Sequence, residues 1–411
     1  MKQKLISGLI WIGCSAVLFG QNPVNDWNAI AIAETAPLPP HLQTRTLAIL
    51  NLSMHDAIQA VQGNYARYRP GTATPGVPVE IAAAAAARAA LLATLPPTSA
   101  GAIESLYNQA LASSTDPAAR AVAVSTGQLA AKQILAGRAD DLARIDGTIY
   151  PSQAAQLGAY QPFAPAFLPN GAFSGWGRLT PFTMVYPGQF RPGPPPALDS
   201  ADFARDFNET KNIGGMVSTA RTATQSEIAK FWYESSPVSW HRVAVAAAEA
   251  RGMNLGDRVR LLAVLHAALA DSYIAMSEAK YVYYAWRPVT AIRNASTGLN
   301  AGTSPDGQWV SFLDTPPDPE YPSGHAQAGA VAAEVLALVL GTDYVQFSLT
   351  SGAPYAGIKR EFVSFSAAAA ENAMSRVFAG LHFPSSTQAG LNVGRSIGRQ
   401  AARTMLLPVK K

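Results

Sequence analysis

The chain has 411 residues, 48% of them apolar and 14% charged, with a formal net charge of +4 spread along its length. That is ample material for a sizeable core, and with Lys410-Lys411 as the only basic terminal run there is no electrostatic footprint for nucleic acid. The single cysteine, Cys14, lies in an apolar leader, so an exported product would carry neither thiol nor disulfide.

Residues 1–20 read as a signal peptide, with Lys2 and Lys4 ahead of an apolar run from Leu5 to Phe19. The run is shorter than the ~20 residues that span a bilayer, and no later stretch reads as a membrane span. The expectation is therefore export, periplasmic or extracellular, without stable membrane insertion. Helical signals dominate the rest of the chain. Apolar residues recur at helical spacing over 42–62, and alanine-rich stretches at 79–94 and 117–136 have high helix propensity. Further helices are predicted at about 97–112, 200–211, 224–234, 237–251, 255–285, 324–341, 356–380 and 387–405. Alternation argues for no more than a minor strand, so the fold class is all-α, built of helical bundles.

Between 142 and 198 the texture changes. Ten prolines fall between Pro151 and Pro196, among many glycines and aromatics. Flexible linkers lack aromatics, whereas Tyr160, Phe163, Phe167, Phe173, Trp176, Phe182, Tyr186 and Phe190 call for burial. We read the segment as an ordered loop wrapped on the bundle. The organisation expected is a helical part at 21–141, this loop at 142–198 and a bundle carrying the site at 199–411, with 21–411 one globular unit.

Three motifs in the second half carry chemistry. Lys280 and Arg287 stand at i and i+7 in a helix expected to include Asp271 to Trp286 and to stop at Pro288. Both cations then share one face, roughly 10 Å apart along the axis, and can converge on an anion. Alone, such a pair is a solvated basic stripe. Pro322-Ser323-Gly324-His325 opens an apolar helical run. Ser323 suits an N-cap, Gly324 lets backbone approach a ligand, and first-turn N–H groups attract anions. His325 is placed as general acid or base, although a lone Ser-Gly-His is more often an ordinary capped helix. Finally, Ser375-Arg376 ends a helix, and His382 comes after it in a turn halted by Pro384. A neutral imidazole there could bind the central atom of an oxyanion; alone, it reads as a buried, hydrogen-bonded histidine.

In this order and spacing the three motifs resemble the signature of the acid phosphatase and vanadium haloperoxidase superfamily. More narrowly, the chain resembles a bacterial vanadium-dependent haloperoxidase, with supporting context at Asp26-Trp27-Asn28-Ala29, Met54-His55-Asp56-Ala57, Phe231-Trp232, Asp271 and Pro316 to His325. The resemblance implies that Lys280, Arg287, Ser323, Gly324 and Arg376 hold the oxygens of orthovanadate, a site that phosphate could also fill. It implies that His382 is the apical vanadium ligand and that His325 is the acid–base group. Hydrogen peroxide, a halide ion and a small organic acceptor would be the partners, and a hypohalous acid equivalent the product.

Three departures bear on that expectation. The family commonly has an aspartate four residues after the ligand histidine, where this chain has Ser386. Asp318 stands seven residues before His325, where the family may carry an aromatic or histidine that tunes halide choice, and Ser277 stands at another aromatic position. A carboxylate at 318 would repel chloride, so bromide or iodide is expected. Glu234 is read as a solvated helix-end residue, with a second role as carboxylate partner of His325 kept open. His55-Asp56 is read as a buried pair; His41, His241 and His266 as surface or satisfied core histidines. Two other readings stand beside this one. A soluble acid phosphatase would use His382 as nucleophile through a phosphohistidine, and a non-catalytic oxyanion-binding protein would need the cations but not two imidazoles.

Overall fold

Proline and small polar residues set most helix starts. The computed structural model describes residues 22–145, 156–169, 171–294 and 300–409, so the segment read as a signal peptide lies outside the described residues. Helix α1 (Pro23–Thr35) begins on a proline and is capped by Asn22, whose side chain accepts from the Val24 N–H. Helix α2 (Pro40–Gln62) likewise starts on proline and ends at Gly63 in the left-handed region. Next come α3 (Val79–Thr94), α4 (Ala100–Leu111), α5 (Pro117–Ala136) and the short α6 (Asp141–Ile145). The alanine face of α3 lets α5 come close: a Cβ at Gly127 would lie 2.1 Å from the Ala82 carbonyl.

The second half comprises α7 (Ala201–Gly214), α8 (Ala223–Phe231), α9 (Ser236–Ala250), α10 (Leu255–Tyr283), α11 (Pro288–Asn294), α12 (Gly324–Leu340), α13 (Phe365–Phe378) and α14 (Pro384–Thr404). Strands β1 (Phe347–Thr350) and β2 (Lys359–Phe362) form an antiparallel pair in the register Phe347 to Phe362. The fold is all-α apart from this hairpin, which replaces the first part of the helix expected over 356–380. The Ser364 hydroxyl caps α13 by accepting the Ala367 N–H, and the Ser366 N–H donates to the Asp343 carboxylate, so the helix restarts only after the strand. Periodicity also gave no sign of α1, α6 or α11.

Helix α10 is the axis of the molecule, buried nearly throughout and flanked by α2 and α12. Contrary to the expectation, it is long and apolar enough to cross a membrane, but it is enclosed by the other helices, as core helices of large domains are. One continuous core joins Trp27, Leu47 and Leu91 of the first half to Leu265, Val331, Phe365 and Ile397 of the second. Between the halves, the described part of the loop region is tied to α10 by Asp271. Its buried carboxylate accepts from the N–H groups of Phe182, Thr183 and Met184 and from the Thr183 hydroxyl. Tyr160, Trp176 and Phe182 bury here, whereas Phe167 and Tyr186 face solvent.

The site is positioned by a seam of glycines. On α14, Gly390, Gly394 and Gly398 recur every fourth residue, and a Cβ at each would meet the Ser323, Gln327 and Val331 carbonyls at 2.5, 2.3 and 2.7 Å. Backbone thus packs on backbone, and the first turn of α12 is fixed against the first turn of α14. The Ser323 N–H donates to the Ser386 carbonyl at 3.1 Å, closing the seam at its upper end.

Candidate active site

Lys280 lies in the last turn of α10, but Arg287 does not share its helix. Tyr284 takes the left-handed conformation (φ 48°) and ends α10 three residues before Arg287. Pro288 does not stop that helix; it starts α11, whose first two hydrogen bonds are accepted by the Arg287 carbonyl. The i, i+7 geometry is therefore corrected, because the residue before a proline avoids helical angles. The two cations still meet, delivered by a helix end and by the turn after it. Both reach the Asp318 carboxylate: Lys280 Nζ is 3.0 Å from Oδ2 and Arg287 Nη2 is 2.5 Å from Oδ1.

Most of their remaining donors go to backbone carbonyls. Lys280 donates to the Pro319 and Glu320 carbonyls. Arg287 Nε donates to the Asp318 carbonyl at 2.7 Å, and Nη1 donates to the Leu381 carbonyl at 2.9 Å and to His382 Nε2 at 3.0 Å. A guanidinium cannot accept, so His382 Nε2 carries the lone pair and Nδ1 the proton. That Nδ1–H points at Glu320 Oε1, 2.9 Å away, and the same oxygen accepts the Phe383 N–H at 3.0 Å. The acceptor absent at Ser386 is thus supplied from another loop. Sequence reasoning passed over Glu320, although its place three residues before Ser323 was a usable signal. Ser386 remains beside the imidazole, its hydroxyl 3.4 Å from Nδ1.

Arg376, on α13, is an electrostatic neighbour of both His382 and His325, and Ser323 stands at the start of α12. Both are buried. Arg376 Nε and Nη1 and the Ser323 hydroxyl have no hydrogen-bond partner. Ser323 occupies the N-cap position, yet its side chain does not cap, which leaves the hydroxyl free. Orphaned buried donors are rare and costly, and three beside this cluster fit an oxyanion. A Cβ at Gly324 would lie 2.3 Å from Met276 Sδ, so the glycine also leaves room for that side chain of α10 against the first turn of α12.

After α13, Gly380 in the left-handed region (φ 76°) turns the chain back, and the Leu381 N–H bonds to the Arg376 carbonyl. This turn also sets the His382 N–H on the Arg376 carbonyl at 3.4 Å and leaves the imidazole within electrostatic reach of the Arg376 guanidinium. His325 is half-buried, with Nε2 3.3 Å from the Glu234 carbonyl. Since a carbonyl only accepts, Nε2 bears the proton and Nδ1 is free to take one. Glu234 is buried, not solvated, and meets His325 through its backbone; its carboxylate pairs with Arg242 and accepts the Gly352 N–H.

Burial dominates the electrostatics. It pushes His382 and His325 well below the usual imidazole range, helped by the nearby arginines, so both are neutral. It lowers Lys280 to about 8 and Arg376 to about 10, and raises Glu320 to about 7. For Asp318 burial acts upward, but the charges and hydrogen bonds of Lys280 and Arg287 outweigh it and hold the carboxyl below its ordinary value. One further neighbour was unforeseen. His41 of α2 is buried, stacks on Phe173 with centroids 3.9 Å apart and lies 3.3 Å from the Ser277 hydroxyl. Burial lowers it to about 3, opposed by the charge of Asp318 and helped by that of Lys280. His241 and His266 form a separate buried pair, Nδ1 to Nε2 3.0 Å, and His55 lies 3.3 Å from Asp56.

Comparison with known proteins agrees with this architecture. Residues 260–410 match the family model of the VCPO second helical-bundle domain. The chain is similar to a bacterial vanadium-dependent iodoperoxidase of known crystal structure, with 26% identity, a TM-score of 0.80, and 95% of this chain and 97% of that one covered. A bacterial vanadium-dependent chloroperoxidase shares the fold at 17% identity. Its apo form gives a TM-score of 0.71 over 89% of this chain and 94% of that one, and its holo form 0.70 over 95% and 93%. No curated protein sequence matches.

Proposed function

We propose that this chain is a vanadium haloperoxidase: an exported enzyme that holds vanadate and uses hydrogen peroxide to oxidise bromide or iodide, in preference to chloride, to a hypohalous acid. The observation that carries the reading is His382: a buried neutral imidazole whose Nε2 lone pair faces Arg287, clustered with Lys280, His325 and Arg376, near unpartnered donors of Arg376 and Ser323. The donor set fits an oxyanion with a nitrogen ligand.

In this reading Lys280, Arg287, Arg376, Ser323 and the first turn of α12 at Gly324 would hold the oxygens, and His382 Nε2 would be the ligand to vanadium. Bound vanadate supplies Lewis-acid activation of peroxide toward a halide. The chain's own part is concentrated, preorganised positive charge. It also supplies a proton acceptor, His325 Nδ1, kept neutral by burial and fixed by the Glu234 carbonyl. Glu320 holds the tautomer of His382. Similarity to an iodoperoxidase supports iodide turnover, and the carboxylate of Asp318 in the site disfavours chloride through repulsion. Residues 1–20 support export.

The test is direct. Purified protein incubated with orthovanadate and hydrogen peroxide halogenates a reporter dye with iodide or bromide, and much less with chloride. Without vanadate it does not hydrolyse a chromogenic phosphate ester. Hydrolysis in the absence of halogenation would reverse the assignment in favour of the phosphatase. Replacing His325 with alanine leaves vanadate binding within a few-fold and lowers turnover by roughly 10²–10⁴.

A further inference from the structure

Lys280 has no donor left for a ligand. An ammonium group carries three hydrogens, and here the Pro319 and Glu320 carbonyls and the Asp318 carboxylate take all three. The two carbonyls are backbone, set in the Pro316–Pro322 run with prolines at 316, 317, 319 and 322. Asp318 is the one partner that a side-chain rotation can remove. Its carboxylate is 14% exposed, so a route to water exists. Its backbone does not need to move, since the Asp318 carbonyl stays on Arg287 Nε at 2.7 Å. Arg287 is close to that state: Nε and Nη1 are spent on carbonyls and His382, and of the two Nη2 hydrogens one is on Asp318 Oδ1.

We propose that the Asp318 carboxylate is an internal competitor for the oxyanion, occupying Lys280 and Arg287 in the empty protein and having to leave them when the anion binds. The inference rests on the reading of the cavity as an oxyanion site and adds the determinant of its affinity. A doubly charged oxyanion reaching Lys280 Nζ would otherwise lie within contact distance of a carboxylate, and two anions at that spacing in a buried site repel strongly. This neutralisation lets two buried cations persist in the empty fold, at the cost of weaker anion binding.

The experiment is calorimetric titration of the full-length mature protein with orthovanadate and, separately, with inorganic phosphate, at one pH and ionic strength. Asp318→Asn and Asp318→Ala bind both anions about ten-fold or more tightly than the wild type. Equal or weaker binding in folded variants overturns the proposal while leaving the oxyanion site intact. Absence of binding by the wild type and both variants overturns it together with the reading of the cavity. A second measurement needs no variant. In a crystal structure of the wild type soaked with phosphate, the carboxylate has left at least one of the two cations; a carboxylate still bonded to both beside a bound phosphate refutes the idea.

Discussion

The two sides of the site are finished differently. On one, all three hydrogens of Lys280 and four of the five of Arg287 are taken by Asp318, by backbone carbonyls and by His382. On the other, Arg376 and Ser323 are equally buried, yet Arg376 has unpartnered donors, with the Tyr233 ring 5.7 Å from its guanidinium carbon. The same residue type, at the same depth, is a structural element on one side and a waiting ligand on the other. Cationic residues at a site thus cannot be valued from burial alone; what each already touches decides whether it stabilises the fold or is held at the expense of stability.

The sharpest way to break this contrast is to remove each arginine in turn. Arg287→Ala strips Asp318 of one cation, leaves the Leu381 carbonyl without its donor and frees His382 Nε2. We expect the empty protein to lose roughly 3–5 kcal/mol of stability. Arg376→Met removes an unpaired buried charge in favour of an apolar chain of similar length, so the empty protein gains roughly 1–3 kcal/mol while oxyanion binding falls sharply. Chemical denaturation of both variants without anion checks the signs. Equal destabilisation by the two would erase the distinction between the sides.

A smaller effect tests the support behind His382. Glu320→Gln keeps the shape but can no longer hold the Nδ1–H as a carboxylate does, and vanadate affinity should drop about 10–100-fold. The Ser386 hydroxyl is already 3.4 Å from Nδ1, so Glu320→Gln with Ser386→Asp returns a carboxylate to the imidazole from the other side. Recovery of affinity by equilibrium dialysis in the double variant, but not in the single one, marks Glu320 as a positioning residue. Loss in both would mean that Glu320 acts through the fold.

Much of this could be read in advance because the signals were local. Alanine-rich and amphipathic stretches gave α3 (Val79–Thr94) and α5 (Pro117–Ala136) with the boundaries found. Likewise, Lys280, Arg287, Ser323, Arg376 and His382 could be named from motif order before any coordinate was known. What escaped was set by pairing across the chain. Glu320 meets His382 over 62 positions and His41 meets Ser277 over 236, and no periodicity encodes either. The pairing of Asp318 with Lys280 and Arg287, 38 and 31 positions away, was not legible either, since the Tyr284 turn decides how those two approach it. The approach of Met276 Sδ to Gly324 likewise has no local signal. The glycines of α14 went unremarked, since their reason is the α12 backbone that they face.

The mildest expected effect separates the two sides by pH. Burial lowers Lys280 to about 8, with Asp318 opposing the shift, and lowers Arg376 only to about 10. As pH rises through about 8 the occupied side should lose a positive charge while the open side keeps its own. Sulfate is the suitable probe, because its charge is constant across this range. Its affinity for the empty protein should fall above about pH 8, by no more than about ten-fold per pH unit, and the step should vanish in Lys280→Met. Stability runs the other way. In the unfolded chain the amine keeps its proton up to its ordinary value, so between the two values the unfolded state binds more protons and Lys280 costs the native state less as pH climbs. Falling affinity with a rising stability contribution from one residue identifies a buried, ligand-facing amine. A solvated lysine would move neither quantity until well above pH 10, and that outcome would remove Lys280 from the site.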